Sequence, residues 1–179
     1  MSKDQKTAVI YKSKYGAAKK YAEWIAKDLN ASLFDVSSIK PAQLMDFDMV
    51  IYGGGMYAGN INGVKLVAAN PCKSLVIFTV GLADPKSSDF SEVLAKAFTP
   101  EILSKIKAFH LRGALNFSNL SLVHKGIISV IRKVTAKKDK SELTSEERAI
   151  LEAGRGNVDF IDRDSIEPII AYVRRLMNE

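Results

Sequence analysis

Residues 12–20, K-S-K-Y-G-A-A-K-K, combine a hydroxyl, a glycine and several bases in one short polar stretch. It follows the apolar run Thr7-Ala8-Val9-Ile10-Tyr11. Behind it, Ala18, Tyr21, Ala22, Ile25 and Leu29 recur at the spacing of one buried helical stripe. The reading is strand, tight loop, helix. Such a junction gathers free backbone N–H groups at the positive end of a helix dipole. Ser13 adds a hydroxyl, and Gly16 allows a left-handed turn or a close backbone approach. The chemistry is that of a phosphate cradle, formed by Ser13, Lys14, Tyr15, Gly16, Ala17 and Ala18. The alternative is an ordinary strand-to-helix loop, so the assignment needs other loops to agree with it.

Two further stretches are unusual. Gly53-Gly54-Gly55-Met56-Tyr57-Ala58-Gly59 follows the apolar run Met49-Val50-Ile51-Tyr52. It formally fits G-x-G-x-x-A, but it follows the third strand, and the acid expected about 20 residues on in a dinucleotide site is missing. No G-x-x-x-x-G-K-[ST] loop occurs. Read as a glycine turn, the stretch leaves Met56 and Tyr57 at a loop tip, where large apolar side chains have little reason to sit unless something flat covers them. The third stretch is Thr79-Val80-Gly81-Leu82-Ala83-Asp84, after the apolar run 74–80.

The elements that must position these loops alternate. Strands are expected at 7–11, 32–36, 49–52, 74–80 and 108–115. Helices are expected at about 18–30, 41–45, 61–69 and 88–105. This alternation implies right-handed βαβ units and a parallel sheet, with ligands beyond the carboxyl ends of the strands. The three loops above lie at those ends.

The chain has 179 residues, 47% of them apolar, which fits a single globular domain with a sizeable core. No apolar run is long enough to span a bilayer, and residues 1–6 lack the apolar segment of a secretory leader. The one cysteine, Cys72, excludes an intramolecular disulfide and a cysteine-based zinc site. A cytoplasmic protein is expected. Net charge is +6, and residues 117–140 carry Lys125, Arg132, Lys133, Lys137, Lys138 and Lys140 against Asp139 alone.

The three loops in this order resemble the flavodoxin fold, and more closely the flavodoxin-domain proteins of the menaquinone-dependent protoporphyrinogen oxidase type. That group has S-T-R-x-G-x-T after its first strand, where this chain has Ser13, Lys14, Tyr15, Gly16, Ala17 and Ala18. Its V-I-G-A-S-I-R-Y-G is matched by Ile51 to Gly59, and its A-G-A-L-R-Y by Arg112-Gly113-Ala114-Leu115-Asn116-Phe117. The departures are Ala18, which loses a hydroxyl, and Tyr57 and Ala58, which replace Arg and Tyr. The resemblance implies an α/β flavodoxin-like three-layer sandwich, with a five-stranded parallel sheet of order 2-1-3-4-5. It also implies noncovalent FMN. The phosphate would lie on residues 13–18 and the ring between two loops, one of Gly54, Gly55, Met56, Tyr57, Ala58 and Gly59, the other of Thr79, Val80, Gly81, Leu82 and Asp84. Tyr57 is the expected stacking partner, Met56 and Leu82 the apolar wall, and Gly59 a neighbour of the flavin N5. Residues 53–63 contain no carboxylate, so the negative charge of a reduced flavin would be opposed less than in an acidic flavodoxin.

Residues 117–157 read as an insertion interrupting strand five, with 158–161 resuming that strand. Within it Leu120, Val123, Ile127, Ile131 and Val134 form one helical face, widened by Leu122, Ile128 and Val130. Thr144-Ser145-Glu146-Glu147 is a capping box for a helix ended by Gly154, and Asp164-x-x-Glu167 is expected to cap a last helix. The basic insertion is open to three readings: a solvated surface helix, a face for anionic lipid and a quinone pool, or a dock for an acidic redox partner protein. Nucleic acid is disfavoured, because aromatics do not interleave with the bases. His110 and His124 read as isolated structural residues. The expected activity is an FMN-dependent, protoporphyrinogen oxidase-like dehydrogenase passing electrons from a donor such as a porphyrinogen to a quinone or protein. The alternatives are an electron carrier without a small-molecule substrate and a cofactor-less interaction module. No acid–base catalytic residue converges on the expected ring.

Overall fold

A computed structural model describes residues 5–154 and 156–178; residues 1–4, over which the leader reading ran, lie outside it. The sheet is built from five parallel strands: β1 (Thr7–Lys12), β2 (Ser32–Asp35), β3 (Met49–Tyr57), β5 (Leu75–Gly81) and β6 (Lys107–Arg112). They lie in the order β2-β1-β3-β5-β6, which is 2-1-3-4-5 counted over the parallel strands. The short β4 (Asn60–Ile61) folds back antiparallel on the end of β3.

Side chains alternate between two layers along each strand, as a pleated strand requires. Val9, Ile51, Val76 and Phe78 face α1 (Ala17–Leu29) and α7 (Glu167–Met177), packing with Tyr21, Ile25, Ile169, Ile170 and Val173. Ala8, Ile10, Val50, Tyr52 and Ile77 face the other way, onto Leu44, Val67 and Phe98. Val9, Ile10, Ile51, Tyr52, Ile77 and Phe78 are wholly buried, which is why these strands read as continuous apolar runs.

The connecting helices on the second face are shorter than their patterns suggest. The helix expected over 61–69 is only α2 (Lys65–Ala68), because β4 takes residues 60–61 and Gly63 turns left-handed at φ +70°. The pattern over 88–105 splits into α3 (Ser91–Ala97) and α4 (Pro100–Leu103). The break falls where Thr99 caps α4 through the Ile102 amide and Pro100 occupies its first turn. Residues 41–46 form a 3-10 turn.

The glycine stretch is not a turn. Gly53, Gly54 and Gly55 lie inside β3, paired with Phe78, Thr79 and Val80 of β5. A Cβ on Gly53 would stand 1.9 Å from the Phe78 ring, and one on Gly54 2.8 Å from the Asn62 carbonyl. The glycines make room for neighbours rather than flexibility. The reversal itself is at Ala58 and Gly59, both left-handed, at φ +47° and +69°.

The insertion leaves the sheet through β7 (Ala114–Asn116) and returns through β8 (Asn157–Asp159). These two strands pair antiparallel as a separate ribbon, so residues 158–161 do not resume the fifth parallel strand. Between them lie α5 (Leu122–Thr135) and α6 (Ser145–Ala153), packed around Leu115, Leu120, Ile150, Ala153 and Val158. The capping box on α6 is present in both directions, Thr144 with Glu147, and Gly154 follows its last turn. The inward face of α5 is Ile128, Ile131 and Thr135. Val123, Ile127 and Val134, which the spacing put on one face with Ile131, are exposed, because the helix meets its small core roughly a fifth of a turn further round. Ahead of α7 it is Asp162, not Asp164, that caps, its carboxylate accepting from the Asp164 amide at the start of a 3-10 turn.

Candidate functional site

The amino-terminal turn of α1 sits at the carboxyl end of β1, beside β3. Gly16 takes φ +96°, with open space where a Cβ would lie, and no side chain caps the helix. Its first turn holds no acid. The Gly16 amide donates to Ser13 Oγ at 3.0 Å, which shapes the loop. Lys20 is the first amide to enter the helical ladder, bonding the Gly16 carbonyl, so the preceding amides face outward. Lys14 is exposed, its ammonium 5.7 Å from the Tyr15 ring centre. Ala18 points into the core at 2% exposure, so the position lacking a hydroxyl packs against the sheet. Backbone, Ser13 and dipole together fit a phosphate.

The ring side is arranged differently. Tyr57, at the end of β3, lies back over Gly55, where a Cβ would meet its ring at 3.0 Å. Its other neighbours are Tyr15, edge-on at 6.1 Å, and His124 of α5, stacked at 5.4 Å with an interplanar angle of 24°. Tyr15 Oη and His124 Nδ1 are 2.7 Å apart, and the Ser121 amide donates to the same Tyr15 oxygen. Burial, with Tyr15 beside it, pushes the Tyr57 phenol up to about 12. The aromatic surface expected for a flavin is thus shared with a histidine of the chain itself. Sequence reasoning treated His124 as isolated, since 67 residues separate it from Tyr57 and nothing local links them.

The loop after β5 is anchored by contacts of its own. Thr79 is buried and its hydroxyl lies 2.7 Å from His110 Nδ1. Val80 is buried, and the Gly81 carbonyl accepts from the Gly113 amide at 2.7 Å. Leu82 packs into the insertion's core, and its carbonyl accepts from the Arg112 guanidinium at 3.3 Å. The Asp84 amide donates to Ser145 Oγ at the start of α6. Leu82, expected as apolar wall, is half-buried against the insertion's core. Met56 stays half-buried near Gly81. Ala58 and Gly59 are exposed. A cleft of about 480 Å³ borders Tyr57 and Gly59 and runs on past Asn62, Lys65, Val93 and Lys96 without reaching residues 13–18 or 79–84.

His110 is the second residue that sequence reasoning set aside. Phe90 stacks on its ring at 3.9 Å, and burial pushes its imidazole down to about 4. It is a neutral buttress beneath the loop after β5.

A parallel sheet of this order, with its switch point between β1 and β3 and an open helix terminus there, defines a doubly wound α/β protein of flavodoxin-like topology. The chain belongs to the Flavodoxin domain family, which it matches over residues 8–142. No curated protein matches the chain. Among solved structures it is similar to the flavodoxin, WrbA-like protein from Agrobacterium tumefaciens, at 18% identity over 67% of this chain and 87% of that one, with a TM-score of 0.45. It is also similar to oxidised Flavodoxin 1 from Bacillus cereus, at 13% identity over 60% and 84%, with a TM-score of 0.45. The Trp repressor binding protein from Bacillus subtilis is at 17% identity over 60% and 83%, with a TM-score of 0.44.

Proposed function

We propose that this chain binds FMN and moves electrons, with the phosphate on the amides of Ala17 and Ala18 and the Ser13 hydroxyl, and the ring against Tyr57. The observation that carries this reading is the open start of α1: a left-handed Gly16, no capping side chain and no acid in the first turn, in a member of the Flavodoxin domain family. When bound, the flavin supplies the redox chemistry. The chain's own residues orient it: helix amides and Ser13 at one end, the Tyr57 ring at the other. For the ring to lie on Tyr57, His124 must swing off it. Among donors and acceptors, the resemblance in residues 13–18, 51–59 and 112–117 favours a porphyrinogen-type donor with a quinone or protein acceptor. A carrier with no small-molecule substrate would need the same site.

A second reading has a specific observation behind it. His124 on Tyr57, and Ser145 holding the loop at Asp84, favour a domain that keeps the fold and uses no cofactor. Titration of purified protein with FMN and with riboflavin, followed by quenching of flavin fluorescence, separates the two. FMN bound more tightly than riboflavin supports the phosphate cradle; no binding of either leaves the cofactor-less module. If FMN binds, oxidation of protoporphyrinogen on adding a quinone decides the enzyme against the carrier.

A further inference from the structure

Helix α5 carries two apolar faces, and only one of them is used. Ile128 and Ile131 pack into the insertion's core. On the outward side Val123, Ile127, Val130 and Val134 recur at the spacing of a single stripe, 71%, 44%, 62% and 56% exposed, with Leu122 at 86% beside them. These five are the majority of the large apolar side chains that the described surface exposes. A stripe of this length on one helix is not the scattered exposure normal for a soluble surface.

Its surroundings are basic. Residues 122–135 contain no carboxylate; of their bases Lys133 lies on the stripe's side, whereas Lys125 and Arg132 fall on the opposite side of the helix, and Lys137 comes just after its last turn. By helical geometry Lys133 and Lys137 border the stripe, with Gly126 between them and Leu122. Lys138 is set apart, since it pairs with Glu147 at 2.7 Å.

We propose that this face of α5 seats the protein on an anionic lipid bilayer, with the valine–isoleucine stripe at the acyl boundary and the lysines among the headgroups. An in-plane helix of this kind needs an apolar stripe flanked by long basic side chains. The charge decides against a second copy of the chain, which would set the same cations face to face. The side-chain types decide against an acidic protein. Protein anchors are aromatic residues and arginines seated in pockets, and leucine and valine are under-represented among them. This stripe is purely aliphatic, and no α5 residue lines either the cleft beside Tyr57 or the one bounded by Phe109 and Tyr172. A smooth aliphatic ridge suits a fluid surface that moulds to it. No helix among the described residues is long and apolar enough to cross a membrane, so the contact is peripheral. The proposal does not depend on flavin binding.

The test is sedimentation of the full chain with vesicles of phosphatidylcholine alone, or of phosphatidylcholine with phosphatidylglycerol, at two salt concentrations. Binding is expected only to the anionic vesicles and is expected to weaken with salt. V130D/V134D should lower the partition more than about tenfold, and K133Q/K137Q about fivefold for each charge removed. V130W gives an independent readout: its emission, above the Trp24 background, should shift to the blue on anionic vesicles alone. Far-UV circular dichroism checks that each variant is folded. Equal binding to neutral vesicles, binding unaffected by V130D/V134D, or no binding at all overturns the proposal. So does a concentration-dependent dimer, or binding to polyglutamate, without vesicle binding.

Discussion

His124 and His110 carry different consequences. His124 stacks on one face of Tyr57, and a flavin laid on that face, as proposed, would have to displace it. An aromatic pair of this kind is worth about 1 kcal/mol beyond its buried area. His124→Ala should therefore tighten FMN binding by about fivefold in a fluorescence titration. Unchanged affinity would mean that the flavin does not use that face. His110 acts through protons. Its folded value, about 4, lies below the ordinary 6.5, so below pH 6.5 the unfolded chain takes up a proton that the folded chain refuses. The contribution is complete above pH 6.5 and is lost as the pH falls toward 4, an amount on the order of 3 kcal/mol. Urea unfolding from pH 4.5 to 7.5 should show this slope in the native chain. His110→Phe should flatten it, whatever that substitution does to stability at pH 7.

At the scale of elements, β3 and α5 hold glycines of opposite meaning. Gly53 is pressed by Phe78, so Gly53→Ala forces a ring out of a wholly buried position and should destabilise by about 1–3 kcal/mol. Pairing it with Phe78→Leu should recover part of that loss, a coupling that a double-mutant cycle in urea can measure. Gly126 sits in the middle of α5 with nothing within 4 Å of a Cβ. There the backbone is already helical, and Gly126→Ala should stabilise by up to about 1 kcal/mol. A fall in the unfolding midpoint would show that the position faces a contact absent from this conformation.

Across the whole molecule, a doubly wound sheet and a basic two-helix insertion meet at Arg112. Its guanidinium lies 3.5 Å over the Phe160 ring and donates to the Leu82 carbonyl, joining the end of β6, the loop after β5 and the returning chain. The buried Tyr21 hydroxyl adds a second tie, donating to the Arg112 carbonyl and accepting from the Asp162 amide. Arg112→Ala should loosen the insertion while the sheet keeps its core. Limited trypsin digestion should then cut within residues 125–140 sooner than in the native chain, with unchanged far-UV circular dichroism. Equal digestion rates would place the hinge elsewhere.

Periodicity and turn chemistry determined the alternation of strands and helices, the start of α1 at the Gly16 turn and the capping box on α6, because each depends on neighbours within a few residues, while the strand order came from the resemblance of the three loops to a known family. The loop leading into α1 was legible for the same reason: Ser13, Gly16 and the helix that follows are one local unit. Tertiary packing decided the rest. Gly53 to Gly55 spell a turn in sequence and form a strand because β5 pairs along all three, and Phe78, Ile61 and Asn62 leave no room for a side chain at Gly53 and Gly54. The apolar residues of α5 circle too much of the helix for spacing alone to choose a buried face, and the small core around Ile150 made the choice. His124 came to rest on Tyr57 through contacts far apart along the chain, which no local pattern encodes.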